Sequence, residues 1–314
     1  MNHRIVFTSD VHRSEIVFRK FLKAAEFYKA QTLVLGGDVT GKAIVPIVKD
    51  VDGRYSAQLY GETRILNDSN LPEFIQEVKN LGYYPYISSK REYEELSSDK
   101  NKLQALFEEL IVNTMKEWLA LAEQRLGNSG VKVFISPGND DPFVIDSVLS
   151  SSNFVINPEG RVVDIDGYRM ATLGITNPTP WHTHREQPEE ELYNTIKKLL
   201  ASENRFDNMI LNFHCPPFGT PLDLAPKLDE QLRPVMSGDE VEIVHVGSTA
   251  VRKIIEEKQP MISIHGHIHE ARGLCKIGKT VCINPGSEYG EGLLKCAIID
   301  LKDGKLKNYA MTTG

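Results

Sequence analysis

The chain has 314 residues, a formal net charge of −7, and is 41% hydrophobic and 25% charged, which is ordinary for a globular protein with a sizeable core in one or two domains. An acidic balance without a Lys/Arg-rich patch counts against a nucleic-acid partner, because phosphate contacts dominate that affinity. No apolar run approaches the roughly 18 residues that a membrane span needs. Four cysteines, Cys215, Cys275, Cys282 and Cys296, show no CxxC spacing and read as free thiols. With a first strand expected almost at Met1 there is no room for a signal peptide, so a cytoplasmic location is expected.

In chain order, short apolar runs bounded by Gly, Pro or Asp read as buried strands, and five of them lead into a metal-type side chain. The run 5–7 leads into Asp10-Val11-His12. A helix is expected over 14–30, with Ser14 as N-cap and Val17, Phe21, Leu22, Ala25 and Tyr28 on its apolar face. The run 32–35 leads through Gly36 and Gly37 to Asp38. A strand–helix–strand link would need about 25–35 residues before the next such run, so roughly 70 are extra. Segment 42–130 is therefore expected to be an inserted cap. It should hold a hairpin of 44–51 and 56–65 around Asp52-Gly53, a short helix at 72–80, and a long helix or broken pair over 91–126. Leu103, Phe107, Leu110, Thr114, Trp118 and Leu121 share one helical face, expected to pack on the cap itself, to close over the site as a lid, or to pair two copies in a homo-oligomer. Tyr83, Tyr84 and Tyr86, around Pro85, are expected to pack, with a pocket lining as the alternative.

The run 131–135 then leads into Gly138-Asn139-Asp140, and 170–175 into the Pro-rich loop 177–185. A helix over 189–200 precedes the run 209–213, which stops at His214. A helix over 249–258 precedes 261–264 and then His265-Gly266-His267-Ile268-His269. A strand at 280–283, the turn Asn284-Pro285-Gly286-Ser287, and a hairpin of 295–301 and 306–311 complete the chain. Strand ends are where open α/β sheets carry their sites. Asp10 and His12, like His267 and His269, are two residues apart, and in an extended segment each pair would face one side. The neighbouring glycines permit tight turns. Asp38 stands alone, and its two oxygens can bridge two ions. A mixed imidazole and carboxylate set without cysteine suits Mn, Fe or Zn, and argues against a structural zinc cluster.

The series DVH at 10–12, GGD at 36–38, GND at 138–140, FH at 213–214 and GHIH at 266–269 resembles the calcineurin-like metallophosphoesterase family. The resemblance implies an α/β fold built as a two-sheet β-sandwich flanked by helices, with residues 1–314 as one domain carrying the inserted cap. It implies two divalent metal ions, with manganese favoured over iron or zinc. One would be held by Asp10, His12, Asp38 and His269, the other by Asp38, Asn139, His214 and His267. A bridging hydroxide would attack phosphorus in a small phosphodiester or phosphomonoester. Two such ions outweigh the charges of Asp10, Asp38 and one hydroxide, so the centre would attract phosphate although the chain is acidic. Asp140 departs from the family pattern, which has His there. An ionised carboxylate cannot donate a proton, so Asp140 would orient a neighbour or water, another histidine would supply the acid, or the leaving group would need none. His182, His184 and Arg185 are candidates to touch substrate phosphate; the alternative is a solvated surface loop. His265 is expected to be buried and structural, and Cys215 to act as a small buried hydrophobe. A nuclease and a non-catalytic scaffold are the competing functions, the first disfavoured by charge and the second by the complete ligand set.

Overall fold

The computed structural model describes residues 2–314. Two six-stranded sheets lie face to face. In spatial order, the first runs Lys305–Thr313, Lys295–Lys302, Asn2–Thr8, Thr32–Gly36, Lys132–Ser136, Val155–Ile156, and the second runs Gly273–Ile277, Thr280–Asn284, Ile262–Ile264, Met209–Phe213, Tyr168–Leu173, Val162–Ile165. Each contains four adjacent parallel strands; antiparallel strands complete one edge of the first sheet and both edges of the second. The helices are α1 (Glu15–Phe27), α2 (Leu71–Asn80), α3 (Lys90–Ser98), α4 (Lys100–Leu126), α5 (Val144–Ser150), α6 (Glu189–Leu199) and α7 (Thr249–Lys258). This is the helix-flanked α/β sandwich that the sequence leads one to expect. None of the helices is long and apolar enough to cross a membrane.

Three apolar layers hold the sandwich together. Ile5, Phe7, Val34 and Phe134 of the first sheet meet Met170, Ile210, Ile264 and Ile283 of the second in the interior. Helices α1, α4 and α5 cover the outer face of the first sheet. Helices α6 and α7 cover the second. The parallel strands are buried on both faces, and Thr32–Gly36 and Met209–Phe213 are buried at every position. Such strands read as unbroken apolar runs because helices cover the crossovers.

The insert differs from expectation in three respects. The stretch 56–65 is two strands, Tyr55–Leu59 and Glu62–Leu66, which turn at Tyr60-Gly61 with φ of 52° and 78°. Two positive φ values in a two-residue loop suit the right-handed strand twist. Tyr84–Ser89 is a further strand, parallel to Ile44–Lys49 at the edge of a four-stranded sheet. Pro85 lacks an N–H, and an edge is where a strand tolerates that. Finally, α4 belongs mainly to the sandwich rather than to the cap. Ile111, Met115, Trp118, Leu119 and Ala122 lie in the core beside α1, and the Trp118 ring stacks on Phe18 at 4.0 Å. The inserted sheet and α2 share a separate small core of Val45, Ile47, Phe74 and Val78. The break between α3 and α4 falls at Asp99, whose extended backbone and carboxylate cap the Asn101 and Lys102 amides.

Just before the second sheet's edge strand Val162–Ile165, the part-buried Glu159 carboxylate accepts the Gly174 amide at 2.9 and 3.0 Å. Burial pushes its pKa up to about 7 from 4.5, against the pull of that hydrogen bond and of Arg185. A folded value above the unfolded one means the contribution to stability is full below the unfolded pKa and is lost as pH rises through about 7. Urea unfolding should show the native protein losing about 3 kcal/mol more than Glu159→Gln between pH 4.5 and 8. Equal pH slopes would contradict this assignment.

Candidate metal centre

The C-terminal ends of the parallel strands in both sheets meet at one edge. There, ligand atoms of Asp10, His12 and His269 form one group, and those of Asp38, His214 and His267 another; the atoms of each group lie within 4.8 Å of one another. His12 Nε2 is 3.1 Å from His269 Nε2 and 3.6 Å from Asp38 Oδ2. His214 Nε2 is 3.4 Å from Asp38 Oδ1 and 3.7 Å from Asp10 Oδ1. Asp10, His12, Asp38, Asn139 and His214 are each at most 2% exposed. Six of the seven residues expected as ligands are therefore close together, and Asn139 lines the same cleft.

The local backbone corrects one expectation. The D-x-H pair does not lie in an extended segment: Asp10, His12 and Arg13 have φ of 57°, 37° and 64°, and Asp38 and His267 have 51° and 68°. Four of the seven, Asp10, His12, Asp38 and His267, thus sit in left-handed turns, a conformation Asp and His visit more readily than most residues but at a cost. Backbone hydrogen bonds hold the turns, with Asp10 N–H donating to Gly37 O at 2.9 Å and His12 N–H to Asp38 O at 3.0 Å. Close approach explains two glycines. A Cβ on Gly37 would strike the His214 ring, and one on Gly138 would strike the Asp38 carboxylate.

Outer partners set the orientation of each ligand. His214 Nδ1 donates to the Gly36 carbonyl at 3.0 Å, so Nε2 faces the centre with its lone pair. Asn139 donates its amide N–H to Thr183 Oγ1 at 2.9 Å, leaving Oδ1 inward. His214 Nε2 and Asn139 Oδ1 are buried without a hydrogen-bond partner. Buried polar atoms are rarely left so, and an unpartnered amide oxygen together with a ring nitrogen 3.4–3.7 Å from two carboxylates fits a cation. The electrostatics agree. Burial, with Lys42 and His269, depresses the His12 pKa, and burial with His214 takes His267 down to about 3, which keeps both rings neutral. Burial opposes a charge on His214, yet Asp38 and Asp10 hold it up to about 10. A proton there marks where two buried carboxylates demand positive charge. The residues thus fit two divalent ions, with the Asp38 carboxylate 3.6 Å from His12 and 3.4 Å from His214, between the groups.

Several supporting residues carry no motif. Asp141 is fully buried, and its carboxylate accepts the Val39, Thr40 and Gly138 amides and the Thr40 hydroxyl at 2.7–3.1 Å. It ties the GGD loop to the GND loop. Ser287 donates to the Asp10 carbonyl at 2.7 Å, and Asn284 to that of Ile268 at 2.9 Å, so the turn 284–287 braces two ligand loops. The Tyr289 ring lies 4.7 Å from that of His12. Asp140 forms an ion pair with Lys42 at 2.6 Å. Burial disfavours the Lys42 ammonium, but Asp140, then Asp38 and Tyr289, raise its pKa above the ordinary lysine value.

The centre opens into a cleft of about 1050 Å³. His182 and His184 line it, as does His245, whose Nδ1 is 2.8 Å from Asp223. Arg185 takes a different place from the one expected. It is buried behind the loop, donating to the Asp141 and Pro142 carbonyls and pairing with Asp146 at 2.7 Å. Its fork is held by structure, not presented to a ligand. His265 is buried with Nδ1 at 2.9 Å from the Phe213 carbonyl, and Cys215 is buried with its thiol pKa pushed up to about 12. Both match their expected structural roles.

No protein-family model matches the chain. An uncharacterized protein of Methanocaldococcus jannaschii is 35% identical over 157 residues, which are 49% of this chain; the match spans 64% of that relative's length. A solved structure from Thermus thermophilus is similar over 100% of this chain and 99% of its own, at 14% identity and a TM-score of 0.55, which shows a shared fold. A looser similarity, at 10% identity and a TM-score of 0.45, covers 99% of this chain and 95% of a dimetal phosphatase from Danio rerio.

The two neighbouring aspartates should separate cleanly by substitution. Asp141→Asn cannot accept every bond that the carboxylate does, so it should lower stability by about 2–4 kcal/mol in urea and weaken Mn²⁺ binding. Asp140→Asn breaks an ion pair with a half-exposed lysine and should cost less than about 1 kcal/mol. Comparable losses for the two variants would contradict the bracing role of Asp141.

Proposed function

We propose that the chain is a metal-dependent phosphoesterase that hydrolyses a small phosphodiester or phosphomonoester at a dinuclear centre. The observation that carries this reading is the pair of buried ligand groups with unpartnered His214 Nε2 and Asn139 Oδ1 at the head of an open cleft. In this reading Asp10, His12, Asp38 and His269 hold one ion and Asp38, Asn139, His214 and His267 the other, with manganese favoured over iron or zinc. When bound, two such ions supply Lewis-acid activation of water and neutralise charge on phosphoryl oxygens.

The chain's own residues supply the rest. The left-handed turns and the Asp141 brace fix the ligands before substrate arrives, so little reorganisation is left for the reaction. Lys42 reaches the rim of the cleft and holds Asp140 in a neutral pair, which keeps that carboxylate from repelling an anionic substrate. Asp140 thus acts as a positioning residue rather than as an acid. His182 and His184, exposed on the opposite wall, are the groups that could hand a proton to a departing alkoxide. A leaving group that departs without a proton would not need them.

The test is hydrolysis of bis-p-nitrophenyl phosphate and p-nitrophenyl phosphate by protein stripped of metal and then loaded with Mn²⁺. Turnover should require the metal and fall at least about a hundredfold in Asp38→Ala. Since p-nitrophenolate leaves readily, His182→Ala and His184→Ala should keep most of that activity. Turnover that persists in chelator or in Asp38→Ala would sink the proposal.

A further inference from the structure

The cleft is much larger than a phosphoryl group requires, and aromatic rings contribute to its lining. Phe107 from α4, Trp181 from the loop after Tyr168–Leu173, and Phe218 from the segment after His214 all line it. Trp181 is 59% exposed and Phe218 39%. Large apolar rings left in water inside a concave site mark a place for apolar substrate surface. The Trp181 loop is built rather than loose. The Glu186 carboxylate accepts from the backbone amides and the hydroxyls of both Thr179 and Thr183 at 2.5–3.0 Å. Thr183 in turn accepts the Asn139 amide at 2.9 Å. One chain of hydrogen bonds therefore couples the indole-bearing loop to a ligand of the centre. Such preorganisation lowers the entropy lost when a ring is captured.

We infer that the part of the cleft carrying Trp181, with Phe218 lining the same cleft, is a subsite for a planar, π-faced organic group, so that the substrate class is aryl or nucleobase-bearing phosphoesters rather than alkyl ones. Stacking on an aromatic wall accepts any flat ring and needs no ring-specific hydrogen bonds. The inference rests on the phosphoesterase reading, and its test can fail separately from that reading.

Phenylphosphonate and methylphosphonate carry the same anionic head and differ in the ring. Calorimetric titration of Mn²⁺-loaded protein should show phenylphosphonate binding about tenfold or more tighter. Tryptophan fluorescence should change with it. The chain has two tryptophans, and Trp118 is buried in the core, so the signal reports Trp181. Trp181→Ala should abolish the fluorescence change and bring the two ligands to within about threefold, leaving methylphosphonate affinity as it was. Trp181 is exposed, so its loss leaves the core intact; Phe218→Ala should act in the same direction. Equal affinities in the native protein, or undiminished discrimination in both variants, would overturn the subsite. If two Mn²⁺ ions bind but neither phosphonate does, the phosphoesterase reading falls and takes this inference with it.

Discussion

Asp10 and Asp38 are buried carboxylates whose ion-pair partners, among the described residues, are histidines alone. That is the constraint from which the rest of the centre follows. A carboxylate removed from water is costly unless a positive charge stands beside it. Here the surrounding groups are imidazoles; Asp38 and Asp10 hold His214 in its charged form, and Asp10 raises the His269 pKa as well. Burial keeps His12 and His267 neutral. Lone pairs, two anions and one orphaned amide oxygen are therefore packed together, an arrangement poor as a protein core and suitable as a cation cage. The apolar layers on both sides of each sheet offset that local cost.

Strain is concentrated in the same place. Five residues at the centre have left-handed backbones without being glycine. Such conformations persist where the surroundings over-determine them. Asp141, Ser287, Asn284 and the Gly36 carbonyl do so here, each binding a different ligand loop. Rigidity then extends through Asn139 and Thr183 to the Trp181 loop, so the position of that loop and that of Asn139 are fixed by one network.

Much of this is legible in the sequence, and for a specific reason. Parallel strands buried on both faces must be apolar throughout, so the runs ending near residues 8, 36, 136, 213 and 264 stand out, and with them the ligands that follow. The turns after those strands are not legible as turns, because D-x-H spacing fits either conformation and side-chain direction depends on φ. Lys42 and Asp141 lie within or beside the motifs, yet their roles depend on partners about a hundred residues away. Arg185 resembles a phosphate ligand in sequence because a basic residue beside two histidines in a loop carries no mark of burial. Its carbonyl and Asp146 partners exist only in the fold. The edge strand containing Pro85 is hidden by the proline, and the apolar face of α4 alone cannot tell which sheet it will meet. The cleft wall from 218 to 247 is formed by short strands and turns without periodicity, so pattern reading has nothing to follow there.

The central claim is that these buried groups enclose two cations. It is tested most directly by anomalous diffraction from crystals grown with Mn²⁺. The account predicts two peaks, one among Asp10, His12 and His269 and one among Asp38, His214 and His267 with Asn139 Oδ1 turned toward it. Absence of density at both places, with His214 hydrogen-bonded to the carboxylates instead, would contradict it.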